Sequence, residues 1–141
     1  MNYKLRKKSR EAAYKLIFEA LFSDFLPNKT SLDNIILSEG LQEDKDYIEI
    51  VYFGVLEKHK ELMEIISKFA IGFKIERIYK ADLAALFLAI YEMKYMDDIP
   101  LNVSIAEAVE LVKRYSTEKS SRYVNGILSS VFKEINNSEW K

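Results

Sequence analysis

The sequence predicts an all-α protein, and three observations carry that prediction. No segment sustains the period of two that a strand requires. Apolar residues recur at spacings of three and four in successive stretches, and capping and stop residues punctuate those stretches. At 141 residues the chain fits one domain, or two small subdomains sharing a core. Such a chain buries roughly two-thirds of its unfolded surface.

Taken in order, the first helix is expected over about Ser9 to Ser23, with Ala13, Leu16, Ile17, Ala20 and Leu21 as its apolar stripe and Pro27 and Asn28 beyond its end. Leu32, Ile35 and Ile36 after Ser31 predict a short second helix stopped by Gly40. Asp44 caps a long third helix, with Ile48, Val51, Tyr52, Val55, Leu62, Met63, Ile66 and Phe69 inward. Gly54 weakens its middle by about 1 kcal/mol relative to Ala, which a close helix contact would explain. Residues 73–79 read as a joint. The fourth helix, about Lys80 to Tyr95, is apolar almost all round and therefore central. Asp97, Asp98 and Pro100 end it.

Ser104 and Glu107 have the spacing of a capping box, so a fifth helix is expected to start at Ser104. Ile105, Ala108, Val109 and Val112 then share one face, while Glu107, Glu110, Lys113 and Arg114 fall elsewhere. The polar run Ser116 to Ser121 interrupts it. A last stripe follows in Val124, Ile127, Leu128, Val131, Phe132 and Ile135. Asn125 and Gly126 are odd inside a helix on propensity, which favours packing roles: Gly126 admitting a neighbouring helix, Asn125 tying down the joint by side-chain hydrogen bonds.

Composition narrows the function. Hydrophobic residues make up 49% and charged residues 30%, an ordinary soluble balance. There is no apolar run long enough to span a membrane and no secretory signal pattern, so the cytoplasm is the expected compartment. The absence of cysteine removes disulfides, thiolate nucleophiles and thiolate metal sites. No phosphate-binding glycine loop, metal-ligand cluster or nucleophile–base pairing is visible, and neither a metal, a cofactor nor catalysis is expected. His59 reads as an exposed helix residue among charges.

The formal net charge of −1 conceals an asymmetry. Residues 1–15 carry six cations against Glu11 alone, and residues 24–57 carry eight carboxylates against two lysines. Lys4, Arg6, Lys7, Lys8 and Arg10 crowd the start of the first helix, where basic charge opposes the macrodipole. An arm that holds RNA phosphates supplies a reason for them, and a solvated helix end is the plain alternative. Lys113, Arg114, Lys119 and Arg122 surround Tyr115 and Tyr123. That mixture suits single-stranded RNA, with charges on phosphates and rings on bases, although either tyrosine could equally be a half-buried core residue.

Four motifs in fixed order carry an identity: YEM at Tyr91 to Met93, DIP at Asp98 to Pro100, AEAVELVKRY at Ala106 to Tyr115, and RYVNGIL at Arg122 to Leu128. With the N-terminal RKKSREAAYKLIF, they make most of the chain resemble the NusB family of transcription antitermination factors. The resemblance implies a compact bundle of about six to seven helices in two packed subdomains, about 1–72 and 73–141. It implies a non-catalytic factor that binds boxA-type single-stranded RNA with NusE, a small-subunit ribosomal protein, in the transcription elongation complex on ribosomal RNA genes. It places the family's arginine-rich motif on Arg6, Lys7, Lys8 and Arg10, an RNA-facing aromatic on Tyr123, and an acidic contact with NusE on Asp82. A favourable charge in a first helical turn is the plain reading of Asp82. Common family members carry arginines in the fourth helix where this chain has Leu83 and Phe87, which would deepen the core or create a self-association surface. Two other functions stay open: a helical scaffold or homodimer without RNA binding, and a stand-alone relative of the N-terminal domain of ribosomal RNA cytosine methyltransferases. The second lacks the cysteine and cofactor domain that such chemistry needs.

Overall fold

The structure is a computed structural model that describes residues 2–72 and 74–137. The chain forms α1 (Tyr3–Ala20), α2 (Lys29–Ser38), α3 (Lys45–Phe69), α4 (Lys80–Tyr95), α5 (Leu101–Tyr115) and α6 (Glu118–Asn137). Short 3₁₀ turns, Gln42–Asp44 and Ile75–Arg77, lead into α3 and α4. No strand occurs among the described residues, and the all-α reading holds. The expected joint contains the second of these turns, while its first residue, Phe73, lies outside the described residues.

Helix α4 is the axle. α1 and α3 pack on it from one part of the chain, α5 and α6 from the other. Its buried residues run without a gap from Asp82 to Ile90, as an all-round apolar sequence requires. Leu83 and Phe87 are both buried, and Phe87 meets the Phe25 ring edge-on at 5.5 Å. Leu83 and Phe87 therefore deepen the core and present no self-association surface.

The helix ends follow local chemistry. The Asn2 and Asn28 side chains accept hydrogen bonds from the Leu5 and Ser31 backbone N–H groups and cap α1 and α2. Gly40, at φ 65°, ends α2 in a Schellman motif: Leu41 N donates to Ile36 O at 2.9 Å, Gly40 N to Leu37 O at 3.3 Å. Asp24 and Phe25 also adopt positive φ, 54° and 61°. A bulky residue pays strain there, and Phe25 is held by stacking on His59 at 4.1 Å as well as by Phe87. His59 is thus half-buried, with Nδ1 2.7 Å from Leu56 O, and not the exposed residue that its charged neighbours suggested.

Three sequence expectations are corrected. α1 begins at Tyr3, so the basic segment is itself helical. α5 starts at Leu101 behind Pro100, one residue short of a turn before Ser104, and the Ser104–Glu107 capping box does not form. Both residues are buried inside the helix and point at neighbouring elements. Gly126 has open space where a Cβ would stand, and Asn125 is exposed, so neither has the packing role expected of it. Thr117 and Ser116 hold the joint instead, Thr117 Oγ1 accepting from Ser120 N at 2.9 Å and Ser116 Oγ donating to Ser120 Oγ at 3.2 Å. Gly54 is the glycine that matters for packing: a Cβ there would meet the Tyr91 ring at 2.2 Å.

At the centre lies Glu92 of α4, with no exposed surface. Arg10 of α1 donates from Nε to its Oε2 at 2.8 Å, Ser104 of α5 donates to its Oε1 at 2.8 Å, and the Tyr47 hydroxyl of α3 donates to Oε2. Three helices are thereby bonded to the fourth through one carboxylate. Burial pushes the Tyr47 hydroxyl well above its ordinary pKa, and the adjacent Glu92 charge adds to this, so Tyr47 remains a donor.

Arg10→Met should destabilise the protein by about 3–5 kcal/mol, because it strands a buried carboxylate. Arg10→Met combined with Glu92→Leu should recover much of that loss; denaturant midpoints of the three proteins test the coupling. Gly126→Ala should raise stability by about 0.5–1 kcal/mol in the same assay, since the added methyl meets nothing.

Candidate nucleic-acid interface

The cations of α1 divide by the direction in which the helix turns them. Arg10 is 3% exposed and belongs to the core. Arg6 forms a two-point pair with Asp44, at 2.8 and 3.1 Å, and lies over the Tyr47 ring at 4.2 Å. Lys7 reaches Glu107 at 3.1 Å and Glu110 at 3.0 Å on α5. Lys4 and Lys8 are exposed. The acidic residues that offset the unfavourable dipole of α1 thus come from α5 and the turn before α3, and part of the reason for basic charge at this helix start is internal.

Between α1 and α5 runs a groove of about 330 Å³, lined by Lys4, Lys7, Lys8, Arg114, Glu11 and Glu110 among others. Arg114, one of the second basic grouping in the sequence, also lines it and donates to both oxygens of Glu11 at 2.9 and 3.0 Å. Burial alone would push the Glu11 carboxyl up. The Tyr115 hydroxyl and Arg114 outweigh it and hold the group below the usual carboxylate range. Lys119 and Arg122 are exposed on the first turns of α6, beyond the Thr117 joint rather than in the groove.

Tyr123 is half-buried and packs against the core with its hydroxyl oxygen enclosed. Burial raises its hydroxyl pKa, with the Asp82 charge as the second cause. The same carboxylate acts on Tyr14, whose hydroxyl donates to Ala81 O at 2.9 Å. Asp82 therefore sits inside, between α1 and α6, only 3% exposed, and its Oδ1 has no hydrogen-bond partner among the described residues. It is not on the surface where a partner contact would be made.

What is on the surface beside it is apolar. Phe18 of α1 and Phe22 of the turn that follows it meet edge-on at 5.2 Å, Lys80 lies over Phe22 at 5.5 Å, and Tyr79 is exposed at the entrance to α4. A second hollow, about 270 Å³, is lined by Tyr14, Lys15, Phe18, Ala81 and Tyr115. The sequence signal for this patch was an aromatic off the inward stripe of α1, at Phe18, followed four residues later by another.

The NusB family profile matches residues 7–133, nearly all of the chain that carries these features. The chain belongs to the NusB family. The transcription antitermination protein NusB of Acetivibrio thermocellus is 45% identical over 129 residues, covering 91% of this chain and 88% of that protein. The same-named protein of Bacillus subtilis is 39% identical over 135 residues, covering 94% and 98%. Among solved structures, T. maritima NusB superposes with a TM-score of 0.84 at 32% identity, covering 92% of this chain and 91% of that one. A NusB chain in a crystal structure with NusE and double-stranded RNA shares the fold, with a TM-score of 0.82 at 21% identity and coverage of 94% and 99%.

For this NusB-family chain the depressed Glu11 pKa makes a sign-definite prediction. Its contribution to stability is present above the unfolded carboxylate value of about 4.3 and is lost as pH falls through the lower folded value. The stability difference between the parent and Glu11→Gln should therefore be largest near about pH 6 and shrink towards about pH 3, measured by urea denaturation at a series of pH values.

Proposed function

We propose that the protein is a non-catalytic transcription antitermination factor that binds boxA-like single-stranded RNA together with NusE, in the cytoplasm, as part of the elongation complex on ribosomal RNA genes. One observation supports this reading most: exposed cations remain after the internal pairs of α1 are formed, and they lie on elements that flank two half-exposed tyrosines. Lys4 and Lys8 edge the α1–α5 groove, Lys119 and Arg122 begin α6, and Tyr115 and Tyr123 stand around them. Cations for phosphates and ring faces for bases are what a single strand needs. Arg6 and Lys7 enter this reading only by exchanging a carboxylate for a phosphate, and Arg10 supports the arm from within.

NusE is assigned to the aromatic surface of Phe18, Phe22 and Tyr79. Its apolar area with a few cations at the edge suits a protein partner better than a polyanion, and Asp82 backs it from the inside. A second copy of this chain is the alternative occupant of that surface.

Labelled boxA-like RNA, titrated with and without NusE at several salt concentrations, tests the proposal. Replacing Lys4, Lys8, Lys119 and Arg122 by Gln should weaken binding and flatten the slope of log K against log salt by roughly 3, from about 0.7 per phosphate contact. An unchanged slope removes these residues from the interface. Tyr123→Phe should keep RNA affinity nearly intact, whereas Tyr123→Ala should lower it by about 5- to 150-fold, the equivalent of one stacked base. Phe18→Ala with Phe22→Ala should weaken NusE binding with little change in melting temperature. If that variant instead dissociates a dimer and leaves NusE binding untouched, the surface serves self-association.

A further inference from the structure

The groove between α1 and α5 holds carboxylates where an RNA site would be expected to hold cations alone. Glu110 is the most exposed of them, its side chain 48% accessible against 10% for Glu107 and 21% for Glu11. It sits between two of the groove cations, accepting from Lys7 Nζ at 3.0 Å and from Arg114 Nη2 at 3.4 Å. Glu107 is different in kind. It is buried, takes Lys7 and the Tyr3 hydroxyl, and faces Arg10 at 3.6 Å, which makes it part of the internal network.

We infer that Glu110 is a guard that sets the affinity threshold of the RNA site: it occupies Lys7 and Arg114 in the free protein, and an RNA phosphate gains those two cations only by displacing it. The inference rests on the RNA reading above and concerns the regulation of that same site.

The energetics favour a displaceable guard over a structural clamp. Exposed ion pairs in water contribute little to stability, because solvent and salt screen them and long side chains lose freedom. Losing Glu110 from its two partners therefore costs the fold little, and a phosphate bringing the same charge replaces what is lost. The Lys7 ammonium is held above its ordinary pKa, with the Glu110 hydrogen bond as the largest cause; an ordinary lysine is already charged at neutral pH, so the cation meets an incoming phosphate as an ammonium when Glu110 leaves. The Arg114 guanidinium has a second holder in Glu11, which keeps it aimed into the groove when Glu110 leaves.

The consequence is discrimination. A backbone that offers only charge meets a competing carboxylate already in place, whereas a strand that also stacks its bases on Tyr115 or Tyr123 gains enough to expel it. A repulsive element that penalises every ligand equally lowers affinity for all, yet it pushes weak, charge-only binders below the working concentration first. It also keeps the surface from acting as a general polyanion trap.

The test is a set of RNA titrations on Glu110→Gln, Lys7→Gln and the double variant, using boxA-like RNA and an unrelated single strand of equal length. Glu110→Gln should bind both RNAs about three- to ten-fold more tightly at low salt, with the gain fading at high salt. Its melting temperature should stay close to the parent's. Lys7→Gln should cost more affinity in the Glu110→Gln background than in the parent, because there the cation keeps Glu107 alone and has lost the more exposed of its two carboxylate partners. Unchanged affinity on Glu110→Gln, or equal costs of Lys7→Gln in both backgrounds, overturns the guard role while leaving the RNA function standing. Weaker binding of boxA-like RNA alone by Glu110→Gln also overturns it, since it would make Glu110 an acceptor for a base. Failure of the parent to bind either RNA, with or without NusE, is the separate result that removes the function itself.

Discussion

A fully buried carboxylate is the constraint around which this bundle is arranged. Glu92 has to be answered on both oxygens, since an unpaired charge in an apolar interior costs several kcal/mol. The answers come from three different helices, Arg10 of α1, Tyr47 of α3 and Ser104 of α5. Each donor fixes the rotation of its own helix about its axis. With Arg10 turned inward, the other cations of the same helix are committed as well: Lys7 falls towards α5, Arg6 towards Asp44, and Lys4 and Lys8 to solvent. The distribution of charge over the proposed RNA surface is thus a consequence of how the core is satisfied.

That dependence explains which parts of the structure were legible in the sequence. The spans of α3 and α4 and the inward stripe of α6 followed from apolar periodicity, because burial of greasy side chains is local information written at a fixed spacing. Gly40 was recognisable as a stop and Gly54 as a contact. Ser104 and Glu107 were misread for a definite reason: two polar residues three apart look alike whether they cap a helix or face a buried partner, and the partner here lies on another helix. The same blindness hid Glu92. A carboxylate in the middle of the YEM motif, on a helix with no polar face, was a sign that a cation would come from elsewhere, and Arg10 was its complement, but nothing in the spacing joined the two.

The candidate site was legible as composition and not as geometry. The cluster of cations at the start of the chain is plain in the sequence, and the structure sorts it into core, internal pair and exposed surface. Asp82 and the aromatics at the end of α1 and just beyond it exchange places in the same way: the acidic residue is inside, and Phe18 and Phe22, off the inward stripe, are the exposed ones. Charge patterning suggests a class of partner, while burial decides which residues are exposed to one.

The Arg10–Glu92 bond joins positions 82 residues apart, and this separation has a bearing on synthesis. Helix α1 leaves the ribosome first, but its counter-charge on α4 follows only after roughly 4–16 s at typical rates of about 5–20 residues per second. During that interval the arginine destined for the core is a solvated cation among five others, on a nascent helix surrounded by ribosomal RNA. The closing of the bundle is therefore also the withdrawal of positive charge from the surface of a growing chain, and it falls due when α4 and α5 emerge and loop closure over that long span can finally be repaid.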